Sequence, residues 1–182
     1  MIPIGRQLSR SSRRRMQGLT MLELIVTLAI VVMLAAFTAP AMTEFQVRSN
    51  VSSTTNDIVV ALNMARAEAV KRGLDVSVVA VGGDWSDGWT VQTQVGNIVI
   101  MERGALKPDY QVFGAAVGAL APADRVVFGP TGALRVATAY DFSVCRPTFD
   151  PGNAQSRRIA VAATGTIRAR RDTTGAPAGV CT

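Results

Sequence analysis

Apolar residues are spaced in three different ways along this chain, and each spacing predicts a different element. Residues 24–42, LIVTLAIVVMLAAFTAPAM, form a run of 19 uncharged positions in which only Thr27 and Thr38 are polar. That is about the length a helix needs to cross a bilayer core. Further on the run thins to a stripe. Val51, Thr55, Ile58, Leu62, Ala65 and Ala69 step by four and three, and Val59, Met64 and Val70 widen the band. This is the period of an amphipathic helix. Arg48, Asn56, Asp57, Asn63, Arg66 and Lys71 fall mostly on the other faces. Gly73 directly follows Lys71-Arg72, and a glycine after basic residues is a good helix stop. The pattern predicts one helix of about 50 residues, from near Thr20 to Arg72 and bent at Pro40. A membrane helix followed by a separate amphipathic one, broken near residues 49–55, fits the same pattern.

After Gly73 the period shortens to that of strands. Segments 75–81, 89–94, 97–102, 125–128, 133–137, 140–145, 157–162 and 166–170 are short and rich in valine and isoleucine. Turn residues separate them, among them Gly82-Gly83, Ser86-Asp87-Gly88, Gly129-Pro130 and Pro151-Gly152-Asn153. Residues 114–122, GAAVGALAP, are assigned to a flexible surface loop. The fold class is therefore α+β: a long N-terminal helix leading into an antiparallel β head that must cover the apolar stripe. Trp85 and Trp89 stand in DWSDGW, which reads as a packed turn; stacking platforms for a ligand are the other reading.

Charge divides the chain further. The net charge of +6 conceals an arginine-rich start, with Arg6, Arg10, Arg13, Arg14 and Arg15 and no acid among residues 1–18. Residues 19–144 carry eight basic and eleven acidic groups, and residues 145–182 carry six arginines against Asp150 and Asp172. Histidine is absent from the sequence, which removes the commonest general base and metal ligand. With no nucleophile motif and no glycine-rich phosphate loop, an enzyme is not expected, and neither is a cofactor or a metal. The two cysteines, Cys145 and Cys181, lack the close spacing of a zinc site. In an exported chain they would form a disulfide.

Glu23 is the only acid among the first 43 residues and stands beside the apolar run. Ala39-Pro40-Ala41 would suit a secretory cleavage site, and the run alone would suit a plain anchor. Neither accounts for Glu23, since an acid at a membrane-helix centre costs roughly 2.5–3.5 kcal/mol and less near the interface. The string G-L-T-M-L-E at residues 18–23 resembles the class III signal of type IV pilins and type II secretion pseudopilins. The resemblance implies cleavage by a prepilin peptidase after Gly18, N-methylation of Leu19, and Glu23 as the fifth mature residue. Leu19 replaces the more usual phenylalanine, and Met21-Leu22 a Leu-Ile pair. Pro40 falls at the twenty-second mature position, where many pilins carry a proline. In that family Glu23 would pair with the N-terminal ammonium of a neighbouring subunit and set axial register.

NMARAEAVKRG at the helix end and GGDWSDGWTV after it narrow the resemblance to the FimT/FimU–GspH family of minor pilins and pseudopilins. It implies a pilin-like fold whose head is a two-sheet, sandwich-like structure. The expected organisation is a cleaved leader over 1–18, a transmembrane and assembly half-helix over 19–42, and an amphipathic half over 43–73. The β-rich head follows over 74–182, its C-terminal lobe closed by a Cys145–Cys181 disulfide. The implied setting is the bacterial inner membrane, single-pass with the head in the periplasm, then a pilus or pseudopilus. The implied partners are other pilins or pseudopilins, the prepilin peptidase and the inner-membrane assembly platform. The implied role is to initiate or cap the filament.

The C-terminal lobe contains Arg157, Arg158, Arg168, Arg170 and Arg171. In a strand, Arg168 and Arg170 share a face while Ile167 and Ala169 point the other way. Some FimT-type pilins bind DNA through a C-terminal Gly-Arg-x-Arg motif. Gly165-Thr166-Ile167-Arg168 matches it at the glycine and the last arginine, and Arg170 and Arg171 add cationic density. A charged edge strand, or an arginine face docking an acidic neighbouring pilin, would use the same residues.

Overall fold

The structure, a computed structural model, describes residues 20–119, 123–146 and 156–171, with the side chains of 36–41 not described. The chain divides into two compact units, Met1–Met42 and Thr43–Thr182. Helix α1 spans Met21–Arg72, 52 residues, and contributes to both. Its assignment continues through Pro40 and through residues 49–55, so the expectation of one helix holds and the two-helix alternative does not. The start is set by Thr20, whose Oγ1 accepts the Glu23 N–H at 3.2 Å. The helix ends at Gly73, whose φ of +66° is the left-handed stop that glycine adopts without strain.

In the first unit the apolar side chains face outward. Leu22, Leu24, Ile25, Leu28 and the segment Ile30 to Leu34 are all exposed. Among the described residues no helix is long and apolar enough to cross a membrane. The side chains of 36–41, which are not described, fall inside the uncharged run that the sequence carries from 24 to 42.

The second unit carries the core. Every position of the predicted stripe, from Val51 through Thr55, Ile58, Leu62 and Ala65 to Ala69, is buried. Two four-stranded antiparallel sheets supply the rest. The first has the order β3-β2-β1-β5, with β1 Val76–Ala80, β2 Trp89–Thr93, β3 Val99–Arg103 and β5 Arg125–Phe128. The second has the order β4-β6-β7-β8, with β4 Gln111–Ala116, β6 Tyr140–Cys145, β7 Arg157–Val161 and β8 Ile167–Arg171. Val76, Val78, Val91 and Phe128 of the first sheet and Phe142, Val144, Ile159 and Val161 of the second join the helical stripe in one apolar cluster.

Two expectations fail. Residues 114–116 belong to β4 rather than to a loop, and Gly114 is buried. A Cβ there would lie 2.7 Å from Phe142 Cδ1 and 3.0 Å from Trp85 Nε1, so this glycine marks close packing inside a strand rather than a turn. Residues 133–137 do not form a strand; only an isolated bridge, Phe128 to Leu134, is made. The Leu134 N–H bonds the Ala163 carbonyl at 3.0 Å while the Arg135 N–H bonds Val127 at 2.9 Å. The backbone bends over residues 135–137 and the Thr138 N–H turns back to the Val136 carbonyl at 2.7 Å, so the extended run ends after the bridge.

Candidate functional site

The residues named from sequence fall into separate places. Gly18 and Leu19 lie outside the described residues, as does Cys181. Glu23 sits exposed in the first turn of α1, three residues after the capping Thr20. Thr-x-x-Glu is a capping-box spacing, and an acid in the first turn also suits the positive helix end. The cap made by Thr20 is one that the sequence pattern T-M-L-E could have revealed. Pro40 lies within the assigned helix, its side chain not described.

The five lobe arginines are brought onto adjacent strands but not onto one face. Antiparallel register places Arg157 opposite Arg171, Arg158 opposite Arg170, and Ala160 opposite Arg168. Strand alternation sends Arg158, Arg168 and Arg170 to one face of the sheet and Arg157 and Arg171 to the other. Arg158 is already engaged. Its Nε donates to Asp141 Oδ1 at 3.2 Å and its Nη2 to Oδ2, with both side chains only 16% exposed. Arg168 and Arg170 are exposed and line a groove of about 580 Å³ with Tyr140, Asp141, Arg158 and Thr166. β8 is an edge strand, so its charged face also blunts edge pairing.

The glycine of the Gly-x-x-Arg string has a packing role. Gly165 has φ +82°, and a Cβ there would collide with the Gly132 carbonyl and come within 3.1 Å of Arg66 Nε. The turn between β7 and β8 is thus pressed onto the 129–132 turn over the Arg66 side chain.

Trp85 and Trp89 are both buried, which supports the packed-turn reading and removes the ligand platform. Trp85 Nε1 donates to the Ala123 carbonyl at 2.7 Å, and its ring meets Phe142 edge-on at 4.9 Å. Trp89 Nε1 has no hydrogen-bond partner among the described residues, and its ring lies 5.9 Å from the Arg103 guanidinium carbon.

A clamp of the 103–110 segment onto the helix was not legible in the sequence. Arg103 Nε donates to Asp57 Oδ2 at 3.2 Å, and Lys107 Nζ to Asn50 Oδ1 at 3.2 Å. Asn50 Nδ2 in turn donates to the Tyr110 hydroxyl at 3.0 Å. Arg146 lies over the Tyr110 ring at 5.6 Å and pairs with Asp109 at 3.2 Å. The hydrogen-bonded and ion-paired partners are separated by 37 to 60 positions, and no local spacing signals them. Beside Arg146, Cys145 is disulfide-bonded.

A helix whose second part is buried under two antiparallel sheets is the pilin-like architecture. FimU, a type IV minor pilin of Pseudomonas aeruginosa, shares it with a TM-score of 0.57 and 18% identity, over 69% of this chain and 92% of that one. EpsH, a minor pseudopilin of the Vibrio cholerae type II secretion system, matches with a TM-score of 0.51 and 16% identity, over 68% of this chain and 94% of that one. The sequence model of the family described as "Type II transport protein GspH" matches residues 54–165, and the chain belongs to this family of minor pilins and pseudopilins. No curated protein sequence matches it significantly.

Proposed function

We propose that this chain is a structural, non-catalytic minor subunit of a type IV pilus or type II secretion pseudopilus. It is cut by prepilin peptidase after Gly18 and held in the inner membrane by the apolar part of α1. With the assembly platform and neighbouring pilins or pseudopilins, it helps to initiate or cap the filament. One observation carries the reading: large apolar side chains from Leu22 to Leu34 are exposed in the isolated chain, with Glu23 as the single charge among them. Such a surface requires lipid or copies of itself for burial. A lone carboxylate there is stabilised by a neighbour's ammonium in low dielectric, and a displaced subunit would leave both unpaired.

The experiment is mass spectrometry of the chain co-expressed with a prepilin peptidase. The expected mature N-terminus is Leu19, methylated; a terminus near Ala41 would sink the proposal. Glu23→Gln and Glu23→Ala then separate charge from capping, because glutamine can still serve a capping box. Both variants are expected to be cleaved normally and to enter filaments poorly. Normal incorporation of the glutamine variant would remove the charge-pairing role of Glu23.

A second reading, DNA binding during natural transformation, is favoured by Arg168 and Arg170 on one exposed face of β8. Arg158 is held by Asp141, which leaves two ready phosphate contacts on that face. Each contact contributes about 0.7–0.9 to the log–log salt slope of affinity. An Arg168→Gln/Arg170→Gln variant should lower that slope by roughly 1.4–1.8; an unchanged slope would remove the reading.

A further inference from the structure

Strands β7 and β8 set arginine opposite arginine twice, Arg158 against Arg170 and Arg157 against Arg171. Like charges directly opposite destabilise an antiparallel pair. The two pairs differ in what answers them. On one face Asp141 neutralises Arg158. On the other, no carboxylate among the described residues forms an ion pair with Arg157 or Arg171. A third cation is gathered there instead: Arg48 of α1 lines the same groove as Arg157. Burial, and then the charges of Arg171 and Arg48, push the Arg157 guanidinium below its ordinary pKa. Among the described residues these three cations have no ion-paired carboxylate, and an anion would relieve their repulsion.

The groove, about 480 Å³, is walled by donors and hydroxyls, Ser52 and Asn56 among them, with no acid among its described lining residues. Guanidinium forks and hydroxyls match the oxygens of a phosphate group. Phe45 lines the same groove and is 68% exposed. A small hydrophilic anion has no use for that ring, whereas an amphiphile does. In the sequence, Arg48 comes six positions after Met42, the last residue of the uncharged run. We propose that Arg48, Arg157 and Arg171 bind the phosphate of an anionic phospholipid headgroup, with Phe45 against the start of its acyl chains. The inference rests on the membrane-anchored reading above. Bound in this way, the head is held on the bilayer until assembly draws the subunit out, and leaving the membrane requires giving up the headgroup.

The test is native mass spectrometry of the full-length chain in a neutral detergent, titrated with phosphatidylglycerol. Phosphatidylcholine, inorganic phosphate and a short DNA duplex serve as the other arms. Phosphatidylglycerol is expected to be retained in preference to phosphatidylcholine, and not to be displaced by equimolar inorganic phosphate. Arg171→Gln, at an exposed position, should weaken retention about fivefold, as should each further arginine removed. Phe45→Ser should weaken it too, and Arg168→Gln/Arg170→Gln should leave it unchanged. The proposal is overturned if Arg48→Gln/Arg157→Gln/Arg171→Gln retains phosphatidylglycerol like the parent. It is also overturned if inorganic phosphate competes equally or if the duplex is preferred. A chain processed at Leu19 that ignores phosphatidylglycerol sinks this inference alone; one that binds it but is never processed sinks the processing reading alone.

Discussion

At Gly114 the missing side chain lets the Phe142 ring lie against the backbone of β4, beside the Trp85 indole. A methyl group there must displace an aromatic pair whose rings stand at 89° to one another. Gly114→Ala should therefore cost about 1–3 kcal/mol in chemical denaturation, as overpacking usually does. Phe142→Leu in the same chain should recover part of that loss, since it vacates the space the methyl needs. Full additivity of the two substitutions would show that the clash is not the cause. Glu23 shows the converse: its backbone N–H is capped by the Thr20 hydroxyl, which leaves the exposed carboxylate free to serve a neighbour.

Within elements, period governs what each side chain meets. The stripe from Val51 to Ala69 on the second part of α1 is buried along its whole length, while Val70, which the sequence pattern placed in the band, and Val60, off it, are about half exposed. Leu62→Ala should destabilise the head by about 2–5 kcal/mol, the usual range for emptying a buried leucine site. Val60→Ser should stay within about 0.5 kcal/mol, as surface changes do. Similar losses from both would mean that the helix is not seated by this stripe. In β8 the period of two has a chemical consequence: it parts Arg168 and Arg170 from Arg171, so the lobe offers two cationic surfaces rather than one.

For the molecule, β7 and β8 end the second sheet, and Cys145 at the end of β6 is disulfide-bonded. Reducing that disulfide should lower stability by about 2–5 kcal/mol, as for native disulfides of small exported domains. The measurement is a melting temperature with and without dithiothreitol. Reduction that leaves the melt unchanged would mean that the lobe is held by its sheet pairing alone.

Helix start and stop, the buried stripe, seven of the eight strands and the alternation within β8 were legible in the sequence. Each depends on spacing within a few residues, which is where capping, periodicity and turn chemistry act. Tertiary structure alone decided the rest. It turned Gly114 from a loop signal into a strand position, because the ring that needs its space is 28 positions away at Phe142. It denied residues 133–137 a ladder by bending the backbone over 135–137, where the Thr138 N–H returns to the Val136 carbonyl. It also settled which arginines carry their own counter-charge. Asp141 and Arg48 reach the two faces of one strand from distant parts of the chain, and no local pattern in the sequence records which of them stands on which side.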